Sequence, residues 1–303
     1  MDSSLPLAIG AVAISIISSA FLLYLYTEAQ SILEHNQDRL RRLEQASTIL
    51  QKNLTMAEDK INGLEERAIT LENEIFRLQG LVGYWNFDEG EGTTATDRIG
   101  YANTGMLVNA PTWLHNENCA VKTNGAGSSC LGFDGVDDYI VVPRSSSTEP
   151  SDEITITLWV KAKIPRGALV DKAFTNHTYP FYSYNLQLEP NTDQPTKAEL
   201  IWSVTTDGVW TYLGEGSSEV LIDLNSWQFV AVVYDGSHMK EYVNGELKAS
   251  APKTGTITYY DTPLQLARYV NFPFHTTADI DDVRIYDRAL PVYDIEKLYQ
   301  NGK

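Results

Sequence analysis

Three patterns of apolar and polar positions follow one another along the chain. Leu7 to Tyr26 reads LAIGAVAISIISSAFLLYLY without a charge, and twenty helical residues at 1.5 Å each cover about 30 Å, the thickness of a bilayer core. The segment is therefore expected to cross a membrane, behind a short tail at residues 1–6. That tail holds no Lys or Arg, which a cleaved signal peptide would carry. Tyr24 and Tyr26 belong at the interface, and Ala11, Ser15 and Ser19 put small side chains on one helix face.

Over residues 28–80 the spacing changes to alternate steps of three and four, the heptad signature of a coiled-coil stalk. The a positions are Leu33, Leu40, Ser47, Leu54, Ile61, Ala68 and Ile75, and the d positions are Asn36, Leu43, Leu50, Ala57, Leu64, Leu71 and Leu78. Arg39, Lys60 and Arg67 at g each precede by five a Glu at e, namely Glu44, Glu65 and Glu72, and such pairs form between parallel strands. Residues 33–79 are thus predicted to join copies of this chain side by side. Arg39-Leu40-Arg41-Arg42-Leu43-Glu44 matches a motif associated with three strands, so a homotrimer is favoured over a homodimer. One long helix packed on its own head is the alternative, and it calls for a wider apolar stripe than this seam offers.

Beyond Gly80 and Gly83 the period falls to two. Ile154, Ile156, Leu158 and Val160 alternate with polar neighbours, and Phe229-Val230-Ala231-Val232-Val233 reads as a strand covered on both faces. Asp134-Gly135, Asp207-Gly208, Asp235-Gly236 and Asn244-Gly245 supply hairpin turns. Residues 81–303 are predicted to form an antiparallel sandwich or barrel, closed by a short helix that Pro291 starts.

Charge and cysteine usage narrow the setting. Forty acidic against 23 basic side chains leave 303 residues at −17, which argues against a nucleic-acid partner. Arg39, Arg41 and Arg42 follow the apolar run, where the positive-inside rule puts cytoplasm. The sequons at Asn53 and Asn176 and the pair Cys119 and Cys130 favour an oxidising exterior, and this reading prevails here. Cys119 and Cys130 are expected to form a disulfide, the alternative being two buried thiols.

The head resembles the laminin G-like, concanavalin A-like jelly rolls. The resemblance rests on Gly83-Tyr84-Trp85-Asn86-Phe87-Asp88-Glu89-Gly90, Phe133-Asp134-Gly135-Val136-Asp137-Asp138-Tyr139, Ile154 to Lys161, Trp227 to Gly236, Tyr242-Val243-Asn244-Gly245 and Ile280-Asp281-Asp282-Val283-Arg284-Ile285-Tyr286. It implies a mainly β head, an antiparallel jelly-roll β-sandwich, outside the cell. It also implies a structural calcium ion where the first strand meets the last, with Asp88, Asp97, Asp281 and Asp282 as ligands. The alternative is that Asp97 ties the turn before Gly100 and that Asp281 or Asp282 caps a strand end.

Within this fold, function has to be sought residue by residue. The Glu-x-Asp-x-x-Glu strand of the glucanase relatives is absent, as are a Gly-x-Ser-x-Gly elbow, His-Glu-x-x-His and a phosphate loop. No catalytic residue is therefore assigned. A sugar site needs flat rings and polar side chains on loops. Two loops offer them, one with Lys172, Tyr179, Phe181 and Tyr182, the other with Arg268, Tyr269 and Asn271, and Trp210 lies between. The expectation is a surface recognition protein for glycans or glycoproteins. A structural subunit of a filament or envelope is the alternative, and a polysaccharide hydrolase comes third.

Overall fold

The structure, a computed structural model, describes residues 5–101, 103–121, 128–173, 178–214, 220–269 and 274–302, with side chains from residue 16 onward. It divides into two units, Met1–Thr70 and Leu71–Lys303. The division falls before the boundary expected at residue 80, for a local reason. Phe76 meets the edge of Tyr84 at 6.0 Å, and Arg77 donates to the Ile99 carbonyl at 3.0 Å while covering the Tyr101 ring at 4.9 Å.

Helix α1, Leu5–Leu78, is one run of 74 residues. It is long and apolar enough to cross a membrane, with a window of mean hydropathy 1.2 and none of that window buried. The apolar seam residues along it lie open, from Leu33 at 51% exposed to Leu78 at 82%. Asn53 is exposed on the same helix.

The second unit is an antiparallel jelly-roll sandwich. Its strands are β1 (Leu81–Trp85), β2 (Thr94–Ala95), β3 (Gly105–Val108), β4 (Thr112–His115), β5 (Ser129–Asp134), β6 (Tyr139–Val142), β7 (Ile154–Ala162), β8 (Gly167–Ala173) and β9 (Tyr182–Pro190). They continue with β10 (Lys197–Thr206), β11 (Val209–Leu213), β12 (Val220–Asp223), β13 (Gln228–Tyr234), β14 (His238–Val243), β15 (Glu246–Pro252), β16 (Leu264–Leu266) and β17 (Thr277–Tyr286). One sheet runs β15-β14-β13-β7-β17-β5-β4 with β1 beside β17, and the other runs β11-β10-β9-β8-β16-β6-β3-β2 with β12 beside β10.

Alternation decides which side chains meet. Ile156, Leu158 and Val160 of β7 face Tyr184, Leu186, Leu200, Trp202 and Val204 of the second sheet across one buried core. Trp159 and Phe229 leave the opposite face of the first sheet and pack under α2 (Val292–Asn301), with Trp159 at 5.8 Å from Tyr299. Pro291 immediately precedes that helix, and Ile295 is its buried anchor. The core also holds Glu241 of β14, fully buried. Burial pushes its carboxyl up to about 9, and the charge of Glu199 adds to the rise.

The second sheet keeps part of its outer face for something other than core. There β9 and β10 present Gln187 and Glu189 beside Glu199, Ile201 and Ser203, with Glu199 opposite Glu189 in register. The turn Asp207-Gly208, φ 50° and 76°, folds β11 back alongside β10 so that Trp210 and Tyr212 share a face.

Candidate functional site

Four rings form a row beside those strands. Tyr179 lies 5.9 Å from Phe181, Phe181 5.2 Å from Trp210, and Trp210 4.9 Å from Tyr212. Tyr179 is 59% and Tyr212 39% exposed, so the row is open at both ends. Phe181 is held at φ 67°, which a bulky residue rarely takes. Its N–H donates to the Thr178 carbonyl at 2.7 Å, and the Tyr182 N–H donates to Pro180 at 2.9 Å.

Phe181, Trp210 and Tyr212 border a cleft of about 600 Å³ lined also by Gln187, Glu199, Ile201 and Ser203. Glu189 is braced from three sides. Gln187 Nε2 and the Tyr269 hydroxyl donate to its Oε1 at 3.2 and 3.3 Å, and Arg166 Nε stands 3.8 Å from Oε2. Tyr182 and Tyr269 close the inner side with Ala168 and Ala173. Burial, then nearby carboxylates, raises both phenols above their ordinary range, so both stay protonated donors. In the cleft lining, Gln187 Oε1 and Trp210 Nε1 have no hydrogen-bond partner among the described residues. Both atoms are buried, so it is the ring faces and the carboxylate acceptors that a hydroxyl-rich ligand can use.

Of the expected ligand set, Tyr182 and Trp210 line this cleft, while Tyr179 reaches it only through Phe181 and Tyr269 only through Glu189. Lys172 does not reach it, being fully buried on the inward face of β8 with Nζ 2.8 Å from Glu149 Oε1 and a further bond to the Thr262 carbonyl. Burial lowers its pKa, and Glu149 opposes that shift. Arg268 stacks instead on Tyr139 at 4.4 Å. Asn271 and Asn176 lie outside the described residues. Sequence reading did not single out Arg166, Gln187, Glu189, Glu199 and Tyr212. Tyr212 was open to the alternation Val209-Trp210-Thr211-Tyr212, whereas Glu189 and Glu199 meet only through strand register.

The expected calcium ligands separate into two groups. Asp97 accepts four backbone N–H bonds, from Tyr84 and Ile99 on Oδ1 and from Tyr101 and Asn103 on Oδ2, at 3.2 to 3.4 Å. It ties the turn and has little left for an ion. Asp88, Asp281 and Asp282 act on one another. A bulge between Asp281 and Arg284 buries both β17 acids. Asp282 Oδ1 is 3.0 Å from Arg284 Nη2, and Asp281 Oδ2 accepts from the Val121 N–H at 3.1 Å. Burial raises the Asp281 carboxyl well above its usual range, Val121 opposes the rise, and Asp282 and Asp88 add to it. All three are hard oxygen donors of the kind calcium takes, but among the described residues their carboxylates are not gathered closely enough to share one ion, and Arg284 already balances Asp282. Cys119 and Cys130, joined in a disulfide with their Cα atoms 5.6 Å apart, lie against the Asp281 carboxylate. Those sulfurs are spent in the bridge and offer no thiolate to a metal.

A family model, the concanavalin A-like lectin/glucanases superfamily, matches residues 134–296, more than half of the chain. The chain belongs to this superfamily. No curated protein matches its sequence. Among solved structures, domain 4 of an extracellular arabinanase from Geobacillus stearothermophilus, in complex with arabinotriose, is similar at 18% identity and TM-score 0.51, covering 73% of this chain and 98% of that one. The binding domain of Paraclostridial mosquitocidal protein 1 is similar at 16% identity and TM-score 0.50, and the receptor-binding domain of botulinum neurotoxin D at 15% and 0.50. Each of these two covers 73% of this chain, which in turn spans 52% of theirs. At such identities the likeness is one of fold alone.

Proposed function

We propose that the chain is a membrane-anchored recognition protein whose head binds glycans, or the glycan part of glycoproteins, in the cleft beside Trp210. The observation that carries this reading is the row Tyr179, Phe181, Trp210, Tyr212, with centroid steps of 4.9 to 5.9 Å, beside a lining of acceptors. Sugar rings offer C–H faces to aromatic rings and hydroxyls to Gln, Glu and Ser. Support from outside the chain comes from the arabinanase domain solved with arabinotriose and from the receptor-binding toxin domains.

In this reading Leu7 to Tyr26 anchors the chain and the exposed heptads join parallel copies, in a trimer. Several heads then act together, which raises weak single-site affinity by effective concentration. The head lies outside the cell, where its disulfide is stable. Calcium, where it binds, draws Asp88 towards Asp281 and Asp282, which do not already form a closed ligand set, and leaves Asp97 in its turn.

A hydrolase is favoured by one observation, the direct pairing of Glu189 with Glu199 across neighbouring strands. Against it, both oxygens of Glu189 already face Gln187, Tyr269 or Arg166, which suits a fixed acceptor better than a proton donor. We therefore take the head as non-enzymatic.

The test is the full chain in lipid nanodiscs on a glycan array that includes arabino-oligosaccharides, wild type against Trp210→Ala and Phe181→Ala. Binding of a glycan subset that both variants lose is expected. Absence of any bound glycan, or binding indifferent to both variants, would overturn the reading. Release of reducing ends would move it to the hydrolase. Sedimentation of the same chain in detergent is expected to give a trimer, and a monomer at micromolar concentration contradicts the stalk.

A further inference from the structure

Resting on the glycan reading of the cleft, we infer a rule for its ligand: the site takes glycans free of acidic groups, neutral or amino sugars, and turns away sialylated, uronic and sulfated ones. The charged side chains in the lining are Glu189, Glu199 and Arg166. The two carboxylates stand opposite each other in the register of β9 and β10, and Glu199 is only 7% exposed. Arg166, the one cation of the lining among the described residues, stands beside Glu189 at 3.8 Å and is itself half-exposed. It has an acid in front of it before any ligand arrives.

An acidic sugar stacked on Trp210 would bring a third negative charge over this pair, inside a chain whose formal charge is already −17. Charges of one sign brought close together beside a protein surface repel more than in bulk water, and a site discriminates by such repulsion as much as by attraction. Carboxylates can only accept hydrogen bonds. The lining therefore suits donors, namely sugar hydroxyls and, better, the ammonium of a glucosamine unit. Lys172 points inward and pairs with Glu149.

The test uses the full chain in nanodiscs and matched probes: lactose against sialyllactose, xylohexaose against an oligogalacturonide, and N-acetylated against deacetylated chitohexaose. The expected result is that each acidic member binds at least about tenfold more weakly than its neutral partner and that the deacetylated chito-oligomer binds most tightly. The double substitution Glu189→Gln, Glu199→Gln should narrow the neutral-to-acidic ratio. Should that variant not fold, the wild-type ratio is read from about 0.05 to about 0.5 M salt, where screening should narrow it too. Equal or tighter binding of the acidic members, lost in Trp210→Ala, would overturn the rule and leave the glycan cleft standing. A ratio that neither salt nor the double substitution changes would overturn its charge origin. Failure of every probe and of the wider array would remove the glycan reading itself.

Discussion

The head holds two clusters rich in polar and charged groups, and they are built on opposite plans. Around β1, β17 and the disulfide, acidic groups are turned inward: Asp97 accepts four backbone N–H bonds, and Asp281 is buried against Val121 and the sulfurs. Around β9, β10 and β11, rings stay exposed, with Tyr179 at 59% and Tyr212 at 39%. Polar groups satisfied within the fold stabilise it, and groups left open recognise something else. The contrast assigns architecture to the first region and binding to the second.

The contrast breaks most readily at Asp97. Asp97→Ala should cost about 4 kcal/mol of stability, because four N–H donors lose a charged acceptor at once. Chemical denaturation of the full chain measures this, and a loss under about 1 kcal/mol would put Asp97 outside the architectural role. Replacing Cys119 and Cys130 by Ser should cost about 3 kcal/mol by opening a short loop. Melting with and without reductant gives the same comparison, and glycan binding should persist below the melting point.

Glu241 sharpens the picture from inside the core. Its carboxyl moves from an ordinary 4.5 up to about 9 in the folded state, so the fold favours the protonated form. Its contribution is fully present below about pH 4.5 and is lost as pH rises toward 9. Glu241→Gln should therefore stabilise the chain near pH 8 and change little near pH 4. A pH-independent difference would contradict this. The smallest stability effect is expected at Trp210→Ala, about 1 kcal/mol, with glycan affinity falling about tenfold or more. Calorimetry and titration on the same preparation separate the two.

Much of the fold was legible because periodicity is a local signal. The change from heptads to alternation places the start of β1 within a residue or so of Gly80, and Asp207-Gly208 and Asn244-Gly245 turn where their small residues predict. The docking of Phe76 and Arg77 was not legible, since it depends on Tyr84, Ile99 and Tyr101 arriving from elsewhere. At the site, Trp210, Tyr179 and Tyr182 could be named from composition alone. Lys172 could not be placed, because one residue of parity in β8 decides between cleft and core, and parity is set by pairing. The facing of Glu189 and Glu199 arises the same way, from two strands whose register no local pattern states.

Hydrogen–deuterium exchange of the full chain in nanodiscs, with and without the glycan that binds best, tests the central assignment most directly. Protection is predicted in Tyr182–Pro190 and Val209–Leu213, with no change around Asp97 and Asp281. Protection confined to the β1 and β17 region, with the strands beside Trp210 unchanged, would contradict it.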